Sequence, residues 1–317
     1  MLKEWTMKAK IYIDGQSGTT GLQIYDRIGQ REDLELLRID EEKRHDIEER
    51  RRFLNSADIV FLCLPDDGAR EAVSLIENPE VRVIDASTAH RTMDGWTYGF
   101  PELFPGQREK IAQSKRVANP GCHASGFLAV TVPLTETGIL PADYPLSCMS
   151  LTGYSGGGKK MIAQYEQEER PKELSSPGLY ALGLMHKHLP EMMKYSGLSF
   201  KPVFVPVVDD FSQGMVTSIL LENRLLKGCP TAGEIHGEIE RYYRGAGFVR
   251  VNPYTEKQGT IYANSLAGSN EMEITVCGNG EQTAVIACFD NLGKGASGAA
   301  VQNMNIMLGI DERCGLE

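Results

Sequence analysis

Residues 10–21 read KIYIDGQSGTTG. The apolar segment 10–14 predicts a short strand, and the glycines that follow it predict a tight turn opening a helix that ends near residue 28. Glycines let a backbone approach a pyrophosphate closely, and the N–H groups at a helix start stabilise the phosphate charge. The spacing is a G-x-x-G-x-x-G variant of the dinucleotide-binding pattern. We therefore predict cofactor-binding residues at Gly15, Ser17, Gly18, Thr19, Thr20 and Gly21.

The sequence beyond this turn alternates between strand and helix patterns. Apolar runs at 34–40, 57–64 and 81–85 predict three further strands, with a helix at 65–77. The charged segment 41–52 predicts an exposed helix. The run 57–64 is almost continuously apolar, which is typical of a parallel strand covered on both faces. The alternation predicts a parallel, doubly wound α/β domain.

The end of the second predicted strand bears on the choice of cofactor. Asp40 can accept from a ribose 2′-hydroxyl, which favours NAD, whereas Arg38 can pair with the 2′-phosphate of NADP. Lys43 and Arg44 lie close by in sequence. We favour NADP(H) with Arg38 as a ligand, and leave open that Lys43 and Arg44 are solvated surface charges.

A cysteine stands at a second break in the pattern. Residues 117–126 read VANPGCHASG, so Asn-Pro-Gly ends an apolar run just before Cys122. A helix is predicted at 124–137, and the N–H groups at a helix start favour a thiolate. The alternative is a small buried core residue. Cysteines 63, 277 and 288 lie in apolar runs and fit that alternative better than Cys122 does.

Two further motifs can carry chemistry. Residues 153–160 read GYSGGGKK between a predicted strand and a predicted helix at 161–169, and such a loop can bind an anion or be a flexible turn. His186 and His188 precede a Pro-Glu helix start. In an extended segment they would point the same way, and one could accept the thiol proton. No third metal ligand accompanies them at a usable spacing, so we expect no metal.

The second half of the chain is rich in strands. Strands are predicted at 202–208, 214–222, 271–277 and 284–289, a hairpin turn at 278–280, an amphipathic helix at 231–244 and a small-residue helix ending near 308. This pattern predicts an antiparallel or mixed sheet.

Composition excludes several classes of partner. The chain has 317 residues, with 33 basic against 43 acidic side chains and a net charge of -10, which argues against nucleic acid and anionic membranes as partners. No apolar stretch approaches the roughly 20 residues that a membrane span needs. The seven cysteines form no metal-binding spacing and predict reduced thiols, so we expect a small-molecule enzyme or binding protein of the cytoplasm.

Five separated motifs, in order along the chain, resemble N-acetyl-γ-glutamyl-phosphate reductase in its shorter form. They lie at residues 13–21, 118–122, 155–159, 186–191 and 291–305. The resemblance runs from about residue 10 to the C-terminus and implies a fold related to aspartate-semialdehyde dehydrogenase. It implies a Rossmann-like NADP domain (1–121 and 296–317) and an α+β catalytic and oligomerisation domain (122–295), in a homo-oligomer, dimer or tetramer. The implied reaction is the NADPH-dependent reduction of N-acetylglutamyl 5-phosphate to the semialdehyde, in arginine biosynthesis.

The resemblance also implies roles for individual residues. Cys122 is the nucleophile and His186 the base, with His188 contacting substrate, although the choice between the two histidines stays open. The other residues implied or predicted to contact substrate or cofactor are Arg91, Asn119, Ser155, Gly156 and Lys159 for the substrate, and Ser87 and Asn303 for the cofactor. The family commonly continues its cysteine motif with Tyr-Pro-Thr, where this chain has His123-Ala124-Ser125. His123 is a poor candidate base, because adjacent helix residues do not face each other.

Two other functions are compatible with parts of this pattern. One is an aspartate-semialdehyde dehydrogenase-type reductase of another acyl phosphate. The other is a nucleotide-binding regulator without catalysis, which the joint presence of Cys122, the paired histidines and the glycine-rich loop disfavours.

Overall fold

The computed structural model describes residues 8–255 and 259–316. These residues divide into two compact units. The first comprises the chain up to Pro101, Pro105–Pro120 and the chain from Ala296 onward, and the second comprises Glu102–Phe104 and Gly121–Gly295.

The strands are, in chain order, β1 (Ala9–Asp14), β2 (Leu34–Leu37), β3 (Ile59–Leu62), β4 (Arg82–Asp85), β5 (Thr97–Tyr98), β6 (Arg116–Ala118), β7 (Ser147–Gly153), β8 (Gly178–Leu179), β9 (Val203–Asp209), β10 (Met215–Glu222), β11 (Val249–Val251), β12 (Met272–Gly278) and β13 (Gln282–Phe289). The α-helices are α1 (Thr19–Ile28), α2 (Ile47–Ser56), α3 (Asp66–Ser74), α4 (Gln107–Gln113), α5 (Cys122–Glu136), α6 (Gly158–Glu166), α7 (Leu189–Ser196), α8 (Ala232–Tyr242) and α9 (Gly298–Leu308).

The first unit contains a six-stranded parallel sheet in the order β2-β1-β3-β4-β6-β5. Its central strands are buried on both faces, as the continuous apolar run at 57–64 predicted. The strand order steps outward from β1 in both directions, which is the doubly wound arrangement. The predicted fold class of this part is confirmed.

The turn after β1 requires glycine at specific positions. Gly15 has φ +88°, and a Cβ there would lie 2.4 Å from the Cys63 carbonyl oxygen. A Cβ at Gly21 would lie 2.5 Å from the Gly15 carbonyl oxygen. The turn therefore closes tightly onto β3 and onto itself, and α1 starts at Thr19 inside it.

The prediction of an exposed helix at 41–52 is wrong in two respects. The segment forms a short 3-10 turn at Glu41–Lys43, and α2 starts only at Ile47, where Asp46 accepts hydrogen bonds from the backbone of the first turn. Arg50 is buried, and its guanidinium pairs with Asp14 at 2.9 Å and with Glu71 at 2.6 Å. One residue of this charged run, Arg50, is therefore a buried cation, and its partner Asp14 lies at the end of β1.

The second unit contains a seven-stranded mixed sheet in the order β11-β12-β13-β10-β7-β9-β8. The β11/β12 and β7/β9 pairs are parallel, and the other pairs are antiparallel, including the predicted hairpin between β12 and β13. Helix α5 packs on β10 and β13. A Cβ at Gly126 would lie 2.4 Å from Thr217 Oγ1, so glycine lets α5 approach the sheet directly.

The opposite face of this sheet exposes apolar side chains. Met149, Val203 and Leu220 are more than half exposed. Register pairs β7 with β10 and with β9, so these residues share one face, opposite Ser150 and Thr217. Among the described residues, no helix is both long enough and apolar enough to cross a membrane.

The buried pair in the first unit gives a stability prediction. Burial raises the pKa of the Asp14 carboxyl, and the hydrogen bond from Arg50 opposes that rise. Arg50→Met leaves this charge buried without its cation, so we expect a loss of about 3–5 kcal/mol in the free energy of unfolding at neutral pH. In this variant Asp14 binds a proton more tightly in the folded state than in the unfolded state. The loss of stability should therefore shrink as the pH falls towards the ordinary carboxyl pKa of 3.8.

Urea unfolding at neutral and mildly acidic pH measures this deficit. Arg51→Met is the matched control, because Arg51 is partly exposed and pairs with the exposed Glu48 and Glu77. We expect this control to cost less than about 1 kcal/mol. A deficit of Arg50→Met that grows on acidification, or that equals the control's, would contradict the prediction.

Candidate active site

The predicted nucleophile stands at the first position of α5. Strand β6 ends at Ala118, three residues form the turn, and the helix starts at Cys122 with Gly121 as its N-cap. The backbone N–H of Gly121 donates to Glu191 Oε2 at 3.1 Å. The Cys122 side chain is partly exposed. The expected helix start beside the cysteine is thus observed, with the orphan N–H groups of the first turn placed to favour a thiolate.

The glycine-rich segment before α9 lies against this cysteine. A Cβ at Gly295 would come within 2.9 Å of Cys122 Cβ. Gly295 belongs to a π-helical turn, Gly293–Ser297, which replaces the regular start of the predicted small-residue helix. A side chain larger than hydrogen would therefore displace the thiol.

His186 and His188 do not lie in an extended segment. They form the turn before α7, with His188 as the N-cap and Pro190 in the first helical turn. The His188 backbone N–H lies 3.2 Å from His186 Nδ1, and the ring centroids are 4.6 Å apart. The prediction of the helix start is correct, and the two side chains meet through a turn rather than through strand alternation.

His123 is a third member of this group that sequence reasoning set aside. Its Nδ1 lies 2.8 Å from Ser150 Oγ and its Nε2 lies 2.7 Å from the Tyr180 hydroxyl. Its ring centroid is 5.3 Å from that of His186. Burial, followed by the charges of His186 and Lys187, lowers the pKa of His123 to about 3. His123 is therefore uncharged at neutral pH.

Tyr180 contacts two of these histidines, His123 and His186. Burial raises the pKa of its hydroxyl, and the charge of Cys122 raises it further. The rings of Tyr180 and His186 are 5.9 Å apart. We call Cys122, His123, Tyr180, His186 and His188 the thiol–histidine cluster. It combines the predicted nucleophile at a helix start with the two histidines that are the candidates for proton transfer.

The glycine-rich loop after β7 divides into a buried and an open part. Ser155 is buried, where its Oγ donates to the Ser212 carbonyl and accepts from Asn291 Nδ2 at 3.0 Å. Gly156 and Lys159 are exposed. Ser155 thus helps to build the loop, and the Lys159 ammonium is open to an anionic ligand. Asn291 opens the motif at 291–305, but its contact with Ser155 was not predicted, because no local signal connects two residues 136 positions apart.

Arg91 and Asn119 are buried in the first unit. Arg91 Nε donates to the Asn119 carbonyl at 2.9 Å and its Nη2 donates to the Ala86 carbonyl at 3.1 Å. The Asn119 amide donates to the Ala296 carbonyl at 2.9 Å and accepts from Asn303. These contacts brace the turn that precedes Cys122, which sequence reasoning did not foresee for either residue.

Ser87 and Asn303 belong to buried networks of the same unit. Ser87 donates to Asp85 from both its backbone N–H and its hydroxyl, and Asp85 pairs with His90 Nδ1 at 2.6 Å. Asn303 Nδ2 donates to the Gly99 carbonyl at 2.8 Å. Its Oδ1 is buried and has no hydrogen-bond partner among the described residues.

The residues around the first glycine turn fit a dinucleotide. Gly15, Gly18 and Gly21 form a cradle that side chains would fill. Thr19 Oγ1 is buried without a hydrogen-bond partner in the described part of the chain. Arg38 is exposed after β2, stacked over Tyr25 at 5.0 Å. Ser17 and Thr20 complete the turn.

In residues 8–255 and 259–316 no group of three or more His, Cys, Asp or Glu side chains could hold a metal ion.

Comparison with known proteins gives a consistent result. The family model of the semialdehyde dehydrogenase NAD binding domain matches residues 21–114, and that of the semialdehyde dehydrogenase dimerisation domain matches residues 122–291. The chain is 50% identical to N-acetyl-gamma-glutamyl-phosphate reductase 2 of Nostoc sp., over 98% of this chain and 99% of that protein. It is 49% identical to the protein of that name from Pseudomonas putida, over 94% of this chain and 96% of that protein.

Solved structures resemble the chain in fold. Aspartate semialdehyde dehydrogenase II of Vibrio cholerae superposes with a TM-score of 0.71, covering 96% of this chain and 99% of that chain at 13% identity. The Francisella tularensis aspartate semialdehyde dehydrogenase gives a TM-score of 0.70 at 14% identity, covering 94% of this chain and 99% of that chain.

The site predicts a selective thiol reaction. Burial raises the pKa values of the Cys63 and Cys148 thiols, so both should resist alkylation in the folded protein. Iodoacetamide at slightly acidic pH should modify Cys122 about tenfold faster than the exposed Cys229 and Cys314, because only Cys122 stands at a helix start. Peptide mass spectrometry over a time course measures the rates. Equal rates at Cys122 and Cys229 would show that the helix start does not activate the thiol.

Proposed function

The chain belongs to the N-acetyl-γ-glutamyl-phosphate reductase family, and from this membership we propose that Cys122 and His186 carry out the family's reaction. The protein is an NADP-dependent oxidoreductase of arginine biosynthesis that reduces N-acetylglutamyl 5-phosphate to N-acetylglutamate 5-semialdehyde and releases phosphate. The observation that supports the residue assignment is that Cys122 starts α5 and is followed by His123, whose ring centroid lies 5.3 Å from that of His186.

Covalent catalysis divides the reaction into two easier steps. The Cys122 thiolate attacks the acyl carbon, the C–O bond to phosphate breaks, and a thioester remains on the enzyme. NADPH, when bound, would supply the hydride that reduces this thioester and would leave as NADP⁺. The thiohemiacetal then expels Cys122 as thiolate and leaves the aldehyde. His186 accepts the thiol proton before attack and gives it to the departing phosphate. When the thiohemiacetal collapses, His186 accepts its hydroxyl proton as the C–S bond breaks.

The residues that hold the cofactor are proposed from the first unit. Gly15, Gly18 and Gly21 admit the pyrophosphate, the α1 N-terminus stabilises its charge, and the buried Thr19 hydroxyl supplies a polar group. Ser17, Thr20, Arg38, Ser87 and Asn303 complete the proposed set. The exposed Arg38 guanidinium is available for the 2′-phosphate, and the unsatisfied Oδ1 of Asn303 can accept from an amide.

Substrate contacts are proposed in the second unit. Lys159, with Gly156, is suited to an anionic group, and His188 to a polar group near the acyl carbon. The backbone N–H of Cys122 is suited to a developing oxyanion at a helix start. For Asn119 and Arg91, the buried hydrogen bonds support a role in bracing the cysteine turn, and direct contact with substrate stays a prediction.

The proposal also includes the oligomeric state and the cellular compartment. The exposed apolar face of the mixed sheet, with Met149, Val203 and Leu220, supports a homo-oligomer through this face, a dimer or tetramer, in keeping with the dimerisation domain that matches here. All seven cysteines are reduced thiols, which supports the cytoplasm as compartment.

The rival functions make different demands. An aspartate-semialdehyde dehydrogenase would share the fold of the solved structures, but their 13–14% identity shows the fold alone. The relatives near 50% identity favour the acetylated substrate. A regulator without catalysis would not need the cluster around Cys122.

The first test is the reverse reaction with the nucleophile removed. Wild-type protein should reduce NADP⁺ with N-acetylglutamate semialdehyde only when phosphate is present, and Cys122→Ser should lower this rate by about 10³-fold or more while leaving NADPH binding unchanged. Aspartate semialdehyde is the competing substrate. A preference for it would keep the mechanism and change the substrate, whereas full turnover by Cys122→Ser would disprove the thioester route.

The second test separates the two histidines. His186→Asn should lower kcat by about 10²- to 10⁴-fold with a small change in KM, because a general base acts in the transition state more than in substrate binding. His188→Asn should mainly raise KM. Steady-state kinetics of both variants decides the assignment, and the opposite pattern would exchange the two roles.

A further inference from the structure

Three buried side chains and the half-buried Tyr180 form a continuous hydrogen-bonded array in the second unit. Thr217 Oγ1 lies 2.8 Å from Ser150 Oγ, and Ser150 Oγ lies 2.8 Å from His123 Nδ1. His123 Nε2 then lies 2.7 Å from the Tyr180 hydroxyl. Ser150 on β7 is paired with Thr217 on β10, and both side chains lie on the inner face of the sheet, opposite the exposed face. The array therefore runs from the centre of the sheet to the start of the segment that carries His186.

That segment has an unfavourable backbone. Between Tyr180 and His186, Ala181 has φ +51° and Leu184 has φ +54°, values that residues other than glycine seldom adopt. A turn hydrogen bond from the Leu184 N–H to the Ala181 carbonyl closes the loop at 2.9 Å. Such a conformation persists only where its surroundings over-determine it.

Burial of the loop's own side chains does not supply this constraint. Leu182, Leu184 and Met185 are 68%, 47% and 77% exposed. The fixed points lie at the two ends instead. At one end the Tyr180 N–H donates to the Pro206 carbonyl and its hydroxyl meets His123, and at the other end His188 begins α7.

The ring of His186 also rests on this array. Its centroid is 5.3 Å from His123 at an interplanar angle of 89°, and 5.3 Å from Phe204 at 70°. A change at His123 would thus remove both the anchor of Tyr180 and one wall of the His186 site.

We propose that His123 is a positioning residue. Held through Nδ1 by Ser150, whose hydroxyl is in turn bonded to Thr217, it anchors Tyr180 through Nε2 and so fixes the left-handed loop that presents His186 for reaction at Cys122. The part concerning reaction rests on the proposed function; the part concerning the loop does not.

The charge state of His123 suits this task. The titratable or charged groups around it are Cys122 on its own helix, Tyr180, His186 and Lys187 on the loop, and His188 at the start of α7. Burial holds the pKa of His123 at about 3, so it keeps one donor and one acceptor nitrogen throughout the neutral range. The protonation state of His123 therefore does not change across the neutral range.

The experiment is a double-mutant cycle with a structural readout. His123→Phe and Tyr180→Phe should each lower kcat by about 10- to 100-fold with KM changed by less than about threefold, because a displaced base costs rate rather than affinity. The loss of kcat in the double variant should be no larger than the loss in the less active single variant, because both substitutions remove the same anchor. His123→Gln, whose amide reaches the Nε2 position, should recover part of kcat.

Limited trypsin digestion reports on the loop without any substrate. Lys187 is exposed within it, so cleavage after Lys187, identified by mass spectrometry, should be faster in His123→Phe and Tyr180→Phe than in wild type. His236→Phe is the matched control, since it removes another buried histidine of the same unit that bonds to the Asn252 carbonyl. We expect that control to leave both kcat and cleavage after Lys187 unchanged.

The outcomes separate the alternatives. Any of three results would overturn the inference. These are losses of kcat that multiply in the double variant, cleavage after Lys187 that is unchanged in the single variants, and effects of His236→Phe equal to theirs. If His123→Phe does not fold, Tyr180→Phe still removes the anchor, and its kcat and its cleavage after Lys187 test the inference. If wild type lacks the proposed activity altogether, the proposed function fails, and the digestion still decides whether His123 anchors the loop.

Discussion

The placement of Cys122 depends on one close packing contact, that of α5 on the mixed sheet. Gly126 brings the helix so near to β10 that a methyl group would overlap the Thr217 side chain, and every residue from His123 to Leu134 is buried. Helix α5 also contacts α7 and α8 on its other sides. A helix enclosed in this way cannot slide along the sheet or rotate on it without disrupting its packing contacts, because protein interiors are packed as densely as organic crystals. Its first residue therefore has a fixed position, which a nucleophile requires.

The same close contact connects the helix with the polar residues of the sheet. Because α5 lies directly on β10, the side chain that follows the cysteine points into the layer where Ser150 and Thr217 face inward. Buried polar groups need partners, and this layer provides them without water. Strand alternation then gives the outer face to Met149 and Leu220. One sheet thus supports the site on one side and offers an apolar surface on the other, and a single-residue shift of register would exchange the two.

Sequence reasoning succeeded where structure is set by neighbours along the chain. The glycine spacing after β1, the Asn-Pro-Gly break before Cys122 and the Pro-Glu start of α7 are local signals, and each element was found close to its predicted position. The failures involve distant partners. Arg50 pairs with Asp14, which lies 36 residues earlier, and the two partners of His123 are 27 and 57 residues away. A charged run or a helix-adjacent histidine gives no sign of such contacts, because only the tertiary fold brings the partners together.

The side chain of His123 points away from that of Cys122, because adjacent residues on a helix point in different directions. This makes His123 a poor candidate base for Cys122, and it places the imidazole against the sheet and Tyr180. The departure His123-Ala124-Ser125 from the family's common Tyr-Pro-Thr follows the same logic. Ala124 is fully buried, and the Ser125 hydroxyl donates a hydrogen bond to the Gly121 carbonyl at 3.2 Å. A tyrosine at position 123 has one hydroxyl at the far end of its ring, whereas the imidazole has two nitrogens facing opposite ways. Histidine can therefore join two separate elements, Ser150 on β7 and Tyr180 on the loop, where tyrosine can bond only at its tip.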